Sequence, residues 1–223
     1  MIKMQHQKLF FELKHHVPFT MLSTAGVFAV FALLTGLVFA TNPNIVRETY
    51  EIAHTIHIFI SAVATTAMFW RYEKKFAKAM GVGLVGSLVI CAAGDILFPY
   101  LGAWIMGFPV KELHICLLEH PHTIVPLAIG GALIGIFAVN KIAGKGLAVS
   151  IFSHSGHIII SVVASLAFLL YFGGGSILEH PVPVFVIVLL SILIPCVISD
   201  IVFPMLMRKN KSAHANMGCC GTA

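Results

Sequence analysis

The chain carries one polar pattern twice: residues 54–61 read HTIHIFIS, and residues 154–161 read HSGHIIIS. In each copy two histidines stand three positions apart, and a serine follows four positions after the second histidine. Residues three or four positions apart share one face of an α-helix, so His54, His57 and Ser61 would project together. The pattern therefore predicts two equivalent helices, each with a polar face in apolar surroundings.

A second repeated motif follows each copy. Residues 91–99 read CAAGDILFP, and residues 196–204 read CVISDIVFP. Asp95 and Asp200 are the only acids inside long apolar segments, and both occupy the same place in the repeat. A charged side chain in hydrocarbon is costly and is normally retained for function. The motifs together predict a site that binds a metal ion or moves protons.

The composition is that of an all-α integral membrane protein. The 223 residues are 58% hydrophobic and only 10% charged, with a mean hydropathy of +0.95. No soluble domain needs such a balance. Six stretches come near the ~20 residues that a transmembrane helix requires: roughly 18–40, 50–70, 80–102, 122–140, 149–171 and 183–207.

The basic residues predict how these six spans are oriented. Of the 14 Lys and Arg, all but Arg47 and Lys111 fall on one predicted side of the membrane. The positive-inside rule then places both termini in the cytoplasm. We expect a multi-pass protein of the inner (plasma) membrane. The net charge of +5 requires no nucleic-acid partner, because the topology already accounts for the basic residues.

The repeat unit contains three spans, and an odd number of spans reverses the direction of the chain. The second unit must therefore enter the membrane from the opposite side. In architecture the chain resembles secondary transporters built from two inverted repeats, which implies a site at the repeat interface. We expect a first repeat at residues 1–110 that begins with an amphipathic cytoplasmic segment, an inverted second repeat at 111–208, and a cytoplasmic tail at 209–223.

Each repeat offers four metal ligands on two helices. His54 and His57 share one helical face, and Cys91 and Asp95 share another. Two imidazoles, a thiolate and a carboxylate suit Zn2+ or a similar divalent transition metal. The second repeat offers the equivalent set: His154, His157, Cys196 and Asp200.

Inversion predicts two separate ligand clusters, one toward each membrane face. The cluster of the second repeat would lie about 10 Å below the cytoplasmic surface at 1.5 Å of rise per residue. Pro99 and Pro204 lack an N–H, so each helix should kink about one turn earlier. Further candidate ligands stand at the helix mouths: His15 and His16 on the cytoplasmic side, and Glu119, His120 and His122 on the outer side.

The leading hypothesis is a secondary transporter of a divalent transition-metal ion such as Zn2+. Protons would exchange for metal, because these ligands must lose protons before they bind. Membrane lipid and the metal ion are the expected partners, and assembly into a homo-oligomer stays open. The sequence carries no nucleotide-binding loop or nucleophile elbow, so an enzyme is not the preferred interpretation.

Three other functions stay open. The first is a di-haem electron carrier with histidine axial ligands, although the two buried acids and the close histidine pairs do not favour it. The second is a membrane-embedded metalloenzyme, which needs one active site, whereas inversion divides the ligands between two. The third is a proton-coupled carrier of an organic solute that binds no metal.

The predicted orientation can be tested with a reporter fused to the C-terminus. A reporter that is active only in the periplasm should be inactive there, because the basic residues predict a cytoplasmic tail. The same reporter inserted between residues 108 and 112 should be active and serves as the control. Activity from the C-terminal fusion would contradict the orientation.

Overall fold

A computed structural model of the protein describes residues 2–35, 42–111, 113–142, 146–173 and 179–207. For residues 2–16, 19, 43, 138–142, 146–155 and 201 it describes the backbone only. These parts of the chain form helices joined by short connections, without a strand. The α-helices are α1 (Ile2–Leu34), α2 (Pro43–Tyr72), α3 (Phe76–Val85), α4 (Ala92–Asp95), α5 (Leu97–Ile105), α6 (Cys116–Glu119), α7 (Pro121–Ile142), α8 (Gly146–Tyr171), α9 (Pro181–Val197) and α10 (Phe203–Met207).

Over the described ranges, three helical runs are long and apolar enough to cross a membrane. They are Asn44–Tyr72, Phe76–Ile105 and Pro181–Met207, and they indicate a membrane protein. The apolar parts of the other long helices are shorter over the residues described: Thr20–Leu34, Pro121–Phe137 and Gly156–Tyr171. The all-helical class is confirmed, whereas six spans in two inverted repeats stay a prediction.

The N-terminal segment is part of the first long helix. Helix α1 runs from Ile2 to Leu34 and includes Pro18, so the backbone of the expected amphipathic segment continues directly into the first predicted span. Residues 2–16 contain neither Gly nor Pro and are rich in good helix formers. Nothing in their sequence therefore ends the helix before it reaches the apolar stretch.

Helix α2 lies at the centre of the packing. It contacts α7 and α8, while α1 contacts α8 and α9, and α4 and α5 contact α9. Helices of the first half thus pack extensively against helices of the second half, while α2 also packs against α3 within the first half. Large side chains from both halves, among them Tyr50, Phe168 and Ile192, are buried in one apolar core.

Two glycines of α7 allow its backbone to approach α2 closely. A Cβ added at Gly131 would lie 2.5 Å from the carbonyl oxygen of Phe59, and one at Gly135 would lie 2.6 Å from that of Val63. Small residues at a helix crossing allow this approach in membrane proteins. The contact sets the position of the α2 segment that carries the repeated histidines.

The two helices that carry the aspartates are interrupted beside them. Ile96 separates α4 from α5 and departs from helical geometry, with φ −117° and ψ −65°. It lies three residues before Pro99, where the missing N–H was expected to break the helix. In the second half a π-helical segment, Ile198–Val202, ends two residues before Pro204. Another π-helical segment, Gly86–Cys91, precedes α4, and such segments are frequent at functional sites.

Adjacent glycines of α7 provide a test of this packing. Gly131→Ala should lower the thermal unfolding temperature in detergent, because its methyl group would collide with the Phe59 carbonyl; overpacking typically costs about 1–3 kcal/mol. Gly130→Ala is the matched control, because nothing lies within 4 Å of an added Cβ there. Equal unfolding temperatures for the two variants would contradict the close contact of α2 with α7.

Candidate metal centre

The repeated polar residues meet in the interior as one group. We call it the central cluster and define it as His54, His57, Cys91, Asp95, His157, Cys196 and Asp200. Its side chains are almost fully buried, and the most exposed, Asp200, is only 8% accessible. Buried ionisable groups in an apolar protein need partners, so the contacts within the cluster determine its chemistry.

Asp95 is held by three donors. Its Oδ2 lies 2.9 Å from His54 Nδ1 and 2.6 Å from His57 Nδ1, and Ser161 donates its hydroxyl to Oδ1 at 3.1 Å. An ionised carboxylate can only accept, so both imidazoles present an N–H on Nδ1. In the neutral rings the lone pairs are then on Nε2. Asp95 therefore sets the tautomer and the orientation of both histidines.

The rings of His57 and His157 are in direct contact. Their Nε2 atoms are 3.2 Å apart, and the ring centroids are 4.5 Å apart at an interplanar angle of 64°. Because the Nδ1–H of His57 is directed at Asp95, its Nε2 lone pair points toward His157. Two such nitrogens at this distance can share a proton or bind the same metal ion.

Two cysteine thiols lie beside this pair. Ser61 donates to Cys91 Sγ at 2.8 Å, and Ser199 Oγ lies 3.0 Å from the same sulfur. Both Cys91 and Cys196 are unpaired thiols. They are also close enough to interact with each other. Ser61 thus donates to the sulfur of Cys91, whereas the single hydroxyl proton of Ser199 is directed at Asp200.

Asp200 approaches the cluster from the second half of the chain. Its Oδ1 accepts hydrogen bonds from Ser199 at 2.8 Å and from Thr65 at 3.4 Å. Its Oδ2 lies 3.5 Å from His157 Nε2. The carboxylate is thus oriented by two hydroxyl groups and directed toward the imidazole.

Among the side chains that the structure describes, two sets of three could hold a metal ion. One is His57, His157 and Cys196, and the other is Cys91, His157 and Asp200; within each set the ligand atoms lie within 4.8 Å of one another. Each set combines residues from both halves of the chain. Asp95 belongs to neither and acts behind His57, as outer-shell carboxylates do at many metal sites.

This grouping corrects the expectation of two clusters, one toward each membrane face. The contact of His57 with His157 joins the two halves in one site. The physical reason is that α2 and α8 pack directly against each other, so their polar faces coincide. The expected proximities of His57 to Asp95, at 2.6 Å, and of His157 to Asp200, at 3.5 Å, are both observed.

His54 is buried but belongs to neither set. Its Nδ1 bonds to Asp95, while its Nε2 has no hydrogen-bond partner among the residues described. Tyr50 stacks on its ring at 5.4 Å and 17°. The side chains of His154, His15 and His16 lie outside the described part of the structure.

The outer candidates form a separate pocket. A cavity of about 200 Å³ is lined by Arg47, Glu51, His114, Glu119, His120, Tyr171 and Phe172. Glu119 pairs with His114 at 2.8 Å, and His122, 6.1 Å from His120 between ring centroids, does not line the cavity. These residues are therefore not ligands of the central cluster in this conformation.

Tyr50 lies between this pocket and the central cluster. It is fully buried and packs against His54 on one side and against His114, at 5.9 Å between ring centroids, on the other. Its hydroxyl accepts a hydrogen bond from Cys116 at 3.4 Å. Burial raises the pKa of the Cys116 thiol to about 11, so the thiol keeps its proton at neutral pH and remains a donor.

Thr65, Ser199 and Tyr50 are neighbours of the site that were not predicted from the sequence. Thr65 could have been found, because His57, Ser61 and Thr65 follow one another at intervals of four residues and so form a polar stripe along α2. The role of Ser199 depends on contacts across helices. Ser61 and Ser161 hydrogen-bond between helices, as polar residues of membrane helices often do.

No protein-family model, curated protein or solved structure matches the chain.

Proposed function

We propose that the protein is a secondary transporter of a divalent transition-metal ion, Zn2+ or a similar ion, which binds at the central cluster. The observation that carries this proposal is the 3.2 Å separation of His57 Nε2 from His157 Nε2. Two nitrogens that bind one zinc at 2.0–2.1 Å in tetrahedral geometry lie about 3.3 Å apart. The two imidazoles therefore already stand at the spacing that a shared ion requires.

The donor set also fits such an ion. Imidazole and thiolate groups with a carboxylate nearby suit zinc and related ions better than Mg2+ or Ca2+, which prefer oxygen ligands. The bond from His57 Nδ1 to Asp95 is the outer-shell contact that metal-binding histidines usually make. Ser61 donates to Cys91 Sγ at 2.8 Å and orients that sulfur in the same way.

Transport is favoured over a structural ion by the surroundings of the cluster. It lies between apolar helices that are long enough to span a membrane, and both helices that bear the aspartates are interrupted beside it. The contacts of α2 with α7 and of α1 with α8 are equivalent under exchange of the two predicted repeats. This relation supports two equivalent three-helix repeats with the site at their interface, and the odd number of predicted spans in each repeat implies their inversion.

An ion would reach the cluster only through a conformational change. The ligands are at most 8% exposed, and Tyr50 with its aromatic neighbours closes the route from the pocket on the predicted outer side. A closed state of this kind is one stage of alternating access. The interruptions at Ile96 and at residues 198–202 are suitable hinge points.

The haem alternative does not fit the central cluster. Two axial histidines would have to leave room for a porphyrin plane between them, and the Nε2 atoms of His57 and His157 are only 3.2 Å apart. A proton-coupled carrier without metal is favoured by one observation, because the same contact can be an N–H···N hydrogen bond. The metal content of the purified protein distinguishes the two carriers.

The proposal predicts that His157→Ala abolishes tight metal binding, because both candidate ligand sets contain His157. Binding of Zn2+ to the purified protein should weaken at least 10-fold, which corresponds to ~1.4 kcal/mol. Zn2+ uptake into proteoliposomes should fall equally. His122→Ala is the control, because His122 lies outside the cluster. A His157→Ala variant that binds and transports like the parent would refute the proposal.

Substitution of the two aspartates should have different effects, although Asp95 and Asp200 occupy equivalent positions in the sequence repeat. Asp95→Asn should weaken binding about 10- to 100-fold by disturbing the orientation of His57, but saturating Co2+ should still give the parent's absorption spectrum. Asp200→Asn removes a ligand, so it should change the spectrum or the transport rate even at saturation. Altered ligand spectra in Asp95→Asn alone would contradict this assignment of roles.

A further inference from the structure

We infer that the two ligand sets of the central cluster are two successive positions of a single ion, and that His157 passes the ion from one position to the other. The upper set is His57, His157 and Cys196, and the lower set is Cys91, His157 and Asp200. This inference rests on the proposed function and goes further by stating how many ions bind and how an ion moves through the site.

One atom is common to both positions. His157 Nε2 lies 3.2 Å from His57 Nε2 and 3.5 Å from Asp200 Oδ2. An imidazole nitrogen has one lone pair and binds one metal ion at a time. The two positions therefore exclude each other, and the chain holds one ion where two equivalent repeats would suggest two.

The two positions lie at different levels along α2. His57, Ser61 and Thr65 follow at intervals of about one helical turn, so Thr65 lies about 12 Å along the axis from His57. Asp95 contacts His57, Cys91 contacts Ser61, and Asp200 contacts Thr65. The lower set is thus displaced along α2, which is toward the cytoplasm in the predicted orientation.

Each position has supporting contacts of its own. In the upper set Asp95 orients His57 at 2.6 Å. In the lower set Ser199 reaches both Cys91 and Asp200, at 3.0 and 2.8 Å, and Thr65 adds a contact to Asp200. Outer-shell hydrogen bonds of this kind orient ligands, so each position has oriented ligands of its own besides the shared His157.

The transfer between positions is an exchange of ligands. In each set three protein ligands leave one place of a tetrahedral ion open. Cys91 or Asp200 can take that place before His57 and Cys196 leave, while His157 stays bound. No bond within the protein forms or breaks, and no oxidant or reductant is required. Each end position contains one thiolate, which makes the step visible by spectroscopy.

The test uses Co2+ as the probe with full-length protein in detergent. Thiolate ligation gives cobalt an intense charge-transfer absorption, so the band reports the number of thiolates per ion. We expect one Co2+ per chain and a one-thiolate band in the parent. Cys91→Ser and Cys196→Ser should each still bind one Co2+ with a band of that intensity, because each retains one complete position. The double variant should lack the band.

Transport measurements distinguish a transfer between two positions from binding at a single fixed site. Each single cysteine variant should bind Co2+ yet transport it at least 10-fold more slowly, because the ion cannot complete the transfer. His57→Gln removes a ligand from the upper position and Asp200→Asn removes one from the lower position; each variant should still bind one Co2+ at saturation, with weakened affinity, but should transport it more slowly than the parent. Gly130→Ala is the control, since nothing lies within 4 Å of a Cβ added there, and it should change neither measurement.

Several results would overturn the inference. Two Co2+ per chain would mean two independent sites, and a parent band twice that of each single variant would mean one site with both thiolates. Unchanged transport in both cysteine variants would also exclude the transfer. Each of these three results is compatible with the proposed function, provided that the parent binds and transports metal. A parent that binds no metal refutes both the inference and the proposed function.

Discussion

The structure depends on the burial of one carboxylate. Asp95 is fully buried between apolar helices, where an unpaired charge would be highly unfavourable. Its three donors come from α2 and α8, two imidazoles from the first and a hydroxyl from the second. The carboxylate therefore holds α4, the helix that carries it, against α2 and α8. It also directs the lone pair of His57 toward His157.

The two repeats differ in the residue that precedes each aspartate. In the first repeat Gly94 precedes the aspartate, and a Cβ there would lie 2.9 Å from the Ser191 carbonyl oxygen, so this position serves close packing. In the second repeat Ser199 precedes the aspartate and binds both Cys91 and Asp200. Two similar motifs thus serve different purposes: Asp95 orients a histidine, whereas Asp200 stands among the candidate ligands.

Much of the site could be predicted because its local part depends on helical periodicity alone. The spacing of His54 and His57 and the interruption before Pro99 follow from the local sequence, whereas the proximity of His57 to Asp95 was inferred from the recurrence of both motifs in each repeat. The joining of both halves in one cluster was not predicted, because inversion alone suggested that the polar residues lie at opposite depths. The packing of α2 against α8 brings the polar residues of both halves to one depth, and no local sequence pattern encodes this packing.

The sequence by itself determined an all-helical, strongly apolar chain with two copies of a polar helical face, since hydropathy and the spacing of residues along a helix are local properties. Only the tertiary structure decided which side chains meet at each level of that face. Close backbone approaches such as Gly131 to Phe59 set the position of α2 against its neighbours, and long-range packing places Cys91 beside Ser61 and Asp200 beside Thr65. Ligand sets drawn from both halves depend on distances between helices, which spacing within a single helix does not contain.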